Sequence, residues 1–389
     1  MISMEFRGCT FKEITDNFDN LRKPLSSLER EEFKGIYPYY GAQGIIDFVK
    51  EYRCDGEYLL IAEDGENLNS RNQPIAQIAN GKFWVNNHAH VIKTNEKADL
   101  KYLCYALNDL DIRGYVTGSA QPKLSQKNLN RIKFLFPNIE NQKIISKILY
   151  NYDLLIDTNN KRIATLEQIS FEIFKEWFTK YRYPSVKEGE FVLQTSKGWV
   201  LGEDKKEQMI PKGWKFGELG VIDEFKRGKN ITSSEMVEGI VPVIAAGIEP
   251  SGYHNQANVK GCSLTISASG ANAGYLAYHL EDIWAADCSY YKNDKNIWFV
   301  YNALKFLQPV ISNMQVGSAQ PHVYAKNINR ISTIIPTNDL IEMYCDKVEP
   351  LYKEIKLLKE KNILLEKQRD SLLPRLMSGK LSVEGKKVI

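Results

Sequence analysis

A chain of 389 residues, 43% hydrophobic and 25% charged, is long enough for two or three soluble globular domains and is not compositionally disordered. Its net charge of +3 and pI of about 8.3 lie below the strongly basic range that by itself argues for nucleic acid, so charge neither supports nor excludes DNA. Cys9, Cys54, Cys104, Cys262, Cys288 and Cys345 are scattered with no CxxC pair and read as free thiols; no apolar run approaches the ~18 residues of a membrane span, and a soluble cytoplasmic protein is expected.

Residues 1–36 are polar and charged and predict a short strand and a surface helix or loop. From Tyr37 the text turns to short β-like runs bounded by glycine and asparagine: YPYYGAQGIIDFV, GEYLLIAEDG and FWVNNHAHVI. Leu100 to Leu110 has apolar residues at helical spacing. Residues 117–137, TGSAQPKLSQKNLNRIKFLFP, then recur as residues 316–336, VGSAQPHVYAKNINRISTIIP, identical at 11 of 21 positions under a shift of 199. A repeat of half the chain is too long for a solenoid unit and means two similar domains.

Behind each copy the pattern becomes helical. Residues 138–182 predict one long helix, a rod of roughly 60 Å at 1.5 Å per residue, whose heptad seam runs through Leu149, Tyr152, Ile156, Asn159, Ile163, Leu166, Ser170, Ile173 and Trp177. Residues 337–380 predict a second, with Val348, Leu351, Ile355, Leu358, Asn362, Leu365, Arg369 and Leu372 in the seam. Pro350 falls inside that pattern and predicts a kink or a delayed start. Asn159 and Asn362 read as register-setting polar residues in an apolar seam. The expected organisation is a first domain over residues 1–137, its helix over 138–182, a Pro- and Gly-containing linker over 183–212, a second domain over 213–336, its helix over 337–380 and a tail over 381–389. The fold class is α+β, two mainly β domains in tandem, each followed by a long helix. Aligned pairs such as Leu59 with Leu264, Ile61 with Ile266, Gly65 with Gly270 and Trp84 with Trp284 give one framework with different loops.

Catalytic signatures are missing from the text. The chain has no Pro-Pro pair, as the amino-methyltransferase loop requires, no Pro-Asp pair, no GxxxxGK[ST] and no HExxH. His88 and His90 are the only close histidines; i, i+2 spacing on a strand puts both on one face, and without a Cys or acidic partner at ligand spacing they read as structural or ligand-contacting rather than metal-binding. What remains is loops rich in Asn, Gln, Tyr and Lys, the residues that read base edges and hold phosphates. The DNA-contact candidates in the first domain are Tyr39, Tyr40, Gln43, Asn67, Asn69, Arg71, Asn72, Asn86, Asn87, His88, Gln121 and Lys123. In the second they are Lys226, Arg227, Lys229, Ser269, Asn272, Tyr290, Tyr291, Lys292, Gln320 and His322. The GSAQP turn, being the same in both copies, suits a shared structural role better than sequence reading.

These stretches, with GKFWVNNHAHVI, ENQKI, FKEWF, IPKGWKFGELG and LLPRLMSGKL, resemble the specificity subunit of type I restriction-modification systems over essentially the whole chain. The resemblance implies two target-recognition domains, each reading half of a split site in double-stranded DNA, and two helices packed as an antiparallel coiled coil. It also implies a non-catalytic subunit that docks two methyltransferase subunits and can add two motor-nuclease (restriction) subunits. S-adenosylmethionine, ATP and Mg then belong to those partners, with no catalytic residue, metal or cofactor in this chain. The alternatives are a recognition subunit of another multi-subunit restriction-modification type, a solitary specificity protein, or, in a different class, a coiled-coil adaptor. A fragment ending near Pro184 would carry one domain and one helix with an uncovered seam, so it is expected to pair with a second copy of itself.

Overall fold

The computed structural model describes residues 5–118, 121–184, 190–195, 207–314 and 321–383. The chain divides into two compact units, residues 1–158 with 361–389 and residues 159–360, so each long helix contributes to both. Among the described residues no helix is long and apolar enough to cross a membrane.

Unit 1 is built on an antiparallel sheet ordered Thr15–Asn17, Ala89–Thr94, Tyr58–Ala62, Ala76–Ala79. A second sheet is ordered Gly44–Val49, Lys34–Gly41, Lys82–Val85, Cys54–Asp55, with its middle pair parallel. The strand Tyr58–Ala62 is buried along its whole length, as an uninterrupted apolar run predicts. Its alternate residues serve different cores. Leu59 and Ile61 pack with α1 (Leu100–Asp109), the start of α2 (Ile139–Phe174) and Leu376, whereas Tyr58 and Leu60 join Phe83, Val85 and Val91. Helix α1 starts where Asp99 accepts the Tyr102 N–H at 2.9 Å. It ends against Arg71, whose guanidinium donates to the carbonyls of Leu107 and Asn108.

Unit 2 repeats the plan. Its sheets are ordered Lys226–Arg227, Cys288–Tyr291, Ser263–Ser267, Leu276–His279 and Gly252–His254, Val241–Ile244, Trp284–Ala285, the last two strands again parallel. Helix α3 (Ile297–Phe306) stands where α1 stands in unit 1, and Leu264 and Ile266 share its core. In each unit an antiparallel ribbon closes the domain: Arg7–Thr10 with Lys133–Phe136, and Lys215–Glu218 with Ser332–Ile335. The stretch expected to be a plain linker is partly structured. Phe191–Thr195 and Glu207–Pro211 pair antiparallel, and Ile210 is fully buried in the core of unit 2, which gives the ribbon an apolar anchor. Residues 185–189 and 196–206 of that stretch lie outside the described residues.

The second long helix, α4, runs unbroken from Asn338 to Met377. Pro350 neither delays nor interrupts it. Pro350 and Asp346, the residue whose carbonyl loses its partner, are both on the exposed side of the helix, while Tyr344, Val348, Tyr352 and Ile355 hold the inner face. Helix α2 does not stay α-helical to residue 182. It passes at Lys175–Thr179 into a π-helical turn that buries Trp177 and Phe178 beside Trp214, Phe299 and Tyr344.

Within each unit the helix segments run antiparallel. In unit 2, Arg162 meets Glu354 at 2.9 Å while Ser170 meets Tyr344 at 3.3 Å. In unit 1, Asp153 meets Arg369 at 2.6 Å while Ile145 and Leu149 share a core with Leu372 and Leu376. Of the seam residues, Leu149, Asn159, Ile163, Val348, Ile355, Leu358, Asn362 and Leu365 are buried, and Ile156, Leu166 and Leu351 half-buried.

Candidate nucleic-acid interface

In both copies the proline that closes the repeated turn docks on the loop that follows the central strand. Gly65 donates its N–H to the Pro122 carbonyl at 3.0 Å and Gly270 to the Pro321 carbonyl at 3.1 Å, with bridges from Asp64 to Lys123 and from Ser269 to His322 beside them. Gly65 and Gly270 hold φ of +112° and +75°, a region that disfavours any side chain. Pro122 and Pro321 thus hold this loop in both units, and Lys123 or His322 follows directly. Ser119 and Ala120 in the first copy, and Gly317, Ser318, Ala319 and Gln320 in the second, lie outside the described residues.

The candidates of unit 1 separate into two groups. Gln43, Asn69, Asn72, Asn87, His88, Gln121 and Lys123 are exposed, and Tyr40 is half-buried. Four others are framework rather than surface. Tyr39 is 1% exposed, and its hydroxyl accepts the Leu25 N–H at 2.8 Å. Asn67 is buried and bonds both ways to Gln73, donating at 2.8 Å and accepting at 2.9 Å. Asn86 is buried and accepts the His88 N–H at 2.8 Å. Arg71 caps α1 with φ at +54°. All four side chains make hydrogen bonds inside the fold, although Nη1 of Arg71 is buried without a partner, and those bonds draw them away from the exposed set.

The two histidines do not share a face, because the strand begins at Ala89 and leaves His88 in the preceding turn. His88 is 47% exposed with its Nδ1 2.7 Å from Asp64, whereas His90 is buried between Asp19 at 2.7 Å and the Leu124 carbonyl at 2.9 Å. Arg22 completes this cluster, 3.2 Å from Asp19 and 2.5 Å from Glu63, and Lys123 reaches Glu63 at 3.2 Å. Burial opposes ionisation of both acids, yet bonds and charge from His90 hold Asp19, and bonds from Arg22 hold Glu63, below the usual carboxylate range. Among the described residues no group of His, Cys, Asp and Glu is arranged to hold a metal ion.

Unit 2 presents a different set. Lys226, Arg227, Lys229 and Lys292 are exposed; Asn272, Tyr290 and His322 are half-buried, the last stacked on Tyr324 with ring centroids 5.7 Å apart. Tyr291 is core, its hydroxyl donating to Asn296 at 2.6 Å, and Ser269 is buried and donates to Asp287. Arg227 pairs with the same Asp287. Burial works against that carboxylate, but Ser269 and Arg227 hold it below its usual range. Sequence reading missed these acids. Glu63 and Asp64 stood only at the end of the β-like run GEYLLIAEDG, and nothing around Asp287 marked it.

The two units of one plan, each with its own set of polar and basic side chains, coincide with two matches to one family model. The model of the type I restriction modification DNA specificity domain matches residues 7–168 and again 211–367. The chain belongs to this family. The type I restriction enzyme MjaIX specificity subunit of Methanocaldococcus jannaschii is 26% identical, covering 92% of this chain and 87% of that one. A putative type I restriction enzyme specificity subunit of Haemophilus influenzae, S.HindORF215P, is 39% identical over 35% of this chain and 34% of its own length. Among solved structures, the type I restriction-modification S subunit from M. genitalium aligns over 96% of both chains with a TM-score of 0.59 at 19% identity, a likeness of fold.

Proposed function

We propose that this DNA-recognition subunit of a type I restriction-modification system reads a bipartite duplex site, one half through each unit. The observation that carries the reading is the pairing of one repeated framework with two different exposed sets. Gln43, Asn69, Asn72, Asn87 and Gln121 of unit 1 are amides of the kind that bond two edge atoms of adenine, while Lys226, Arg227, Lys229 and Lys292 of unit 2 suit guanine and phosphate. Side chains that differ this much on one backbone plan read different half-sites.

The chemistry of modification and cleavage, with S-adenosylmethionine, ATP and Mg, resides in this reading in partner subunits. Methyltransferase subunits dock on the long helices, where Leu154, Leu155, Ile363 and Leu364 in unit 1 and Ile169, Met343 and Leu357 in unit 2 are large apolar side chains left exposed. The test is binding of the chain to duplex DNA over a salt series. Each neutralised phosphate contributes roughly −0.9 to the slope of log K against log salt, so replacing both Lys226 and Lys229 by Ala lowers the slope by about two. No salt-dependent duplex binding would leave only the adaptor reading.

A further inference from the structure

Two polar knots stand at repeat-equivalent places, and their chemistry differs. In unit 1, Tyr105, the sixth residue of α1, donates to Asp153 of α2, and Arg369 of α4 meets the other oxygen of that carboxylate at 2.6 Å. In unit 2, Asn302, the sixth residue of α3, donates to Ser170 of α2 at 3.1 Å, to Tyr344 of α4 at 3.0 Å and to Tyr352 of α4 at 3.3 Å. Under the 199-residue shift Asp153 corresponds to Tyr352, and Arg369 to Ser170. The same three positions are therefore filled by an ion pair with a phenol in one unit and by hydroxyls with an amide in the other.

Their burial differs as well. The side chains of Arg369 and Asp153 keep 28% and 34% of their surface, whereas Ser170, Asn302, Tyr344 and Tyr352 are sealed. Burial, first of all, together with the bond to Asp153 pushes the Tyr105 phenol far up, so it remains a neutral donor to the carboxylate. No group among the four in the sealed knot is charged.

We propose that the two knots select the helix partner, so that α2 pairs with α4 and not with α2 of a second copy. An α2–α2 pair in the same register brings Asp153 to Ser170 of the second copy, and both carboxylates lose their guanidinium. The matching α4–α4 pair drives Arg369 among Asn302, Tyr344 and Tyr352, a sealed knot that offers no carboxylate of its own and leaves the guanidinium only its exposed neighbour Asp370, 2.8 Å away in the present pairing. Pairing α2 with α4 satisfies both knots at once. A fragment carrying only the first half can therefore pair with itself only through the poorer of the two matches. On the two-half-site reading, the knots keep the target asymmetric, but the assembly measurement stands apart from that reading.

The experiment exchanges the two residues in the full chain. Wild type is expected to scatter as one chain of 44.6 kDa. Ser170→Arg alone should stay monomeric with a thermal midpoint lower by several degrees, and Arg369→Ser alone with a smaller loss. In the double exchange an α2–α2 pair sets each Asp153 against the guanidinium that Ser170→Arg places on the other copy. The α4–α4 pair gains a hydroxyl in the sealed knot, so the mass should rise toward two chains with concentration. A monomeric double variant whose midpoint loss is the sum of the single losses overturns the proposal. Charge reversal at the half-exposed pair decides the matter if the exchanged chain does not fold. Asp153→Arg and Arg369→Asp should each lower the midpoint, and the double reversal should recover at least half the loss as a monomer; simple addition of the two losses overturns the proposal.

Discussion

The central strands of the two units, Tyr58–Ala62 and Ser263–Ser267, share one face and differ on the other. Leu59 and Ile61 in one, Leu264 and Ile266 in the other, are fully buried toward the helices. On the opposite face unit 1 carries Tyr58, Leu60 and Ala62, two of them in a second core with Phe83, Val85 and Val91, whereas unit 2 carries Ser263, Thr265 and Ser267. There Thr265 bonds His279 at 2.8 Å and Ser267 donates to the Ala246 carbonyl at 2.9 Å. The face that meets the helices is held constant by shape. The other is free to be apolar or polar, and the loops it carries differ with it.

The largest expected effect breaks the shared face. Leu59→Ala and Leu264→Ala should each cost about 2–5 kcal/mol, as large-to-small changes at fully buried leucines do. Leu60→Ala belongs in the same range, but Thr265→Ala should cost only about 1 kcal/mol, the worth of one hydrogen bond. Equal losses at Leu60 and Thr265 in denaturant unfolding would erase the contrast between the outer faces.

Acid sharpens it further. Asp19 and Glu63 in unit 1 have folded pKa values below their unfolded ones, so their stabilisation is full above the unfolded carboxylate range of about 4 and is lost as pH falls through the folded values. Asp19→Asn with Glu63→Gln should lower stability at neutral pH and flatten its decline below about pH 4, as read by unfolding midpoints across pH. An unchanged pH profile would mean that the Arg22 cluster contributes nothing to unit 1.

Much of this frame was legible in the text. The duplication, the paired Leu and Ile positions and the shared turn follow from matching residues 199 to 205 apart, because apolar faces and glycine-requiring turns leave direct marks in sequence. The reading surface was legible only in part. Tyr39, Asn67, Arg71, Asn86 and Tyr291 are the residue types that contact bases, yet each is spent inside the fold on Leu25, Gln73, the end of α1, His88 and Asn296. A polar side chain's partner, not its type, decides whether it faces DNA, and residue type alone does not reveal that partner. Pro350 misled for a related reason, since its effect depends on which side of α4 it occupies.

Independent reading by the two units is tested most directly by mapping methylated positions across a genome. The partners are held fixed and residues 226–292 are exchanged for the matching segment of another specificity subunit. One half of the target should change, while the other half and the spacing between them stay as in wild type. A target rewritten in both halves, or in neither, would contradict the account.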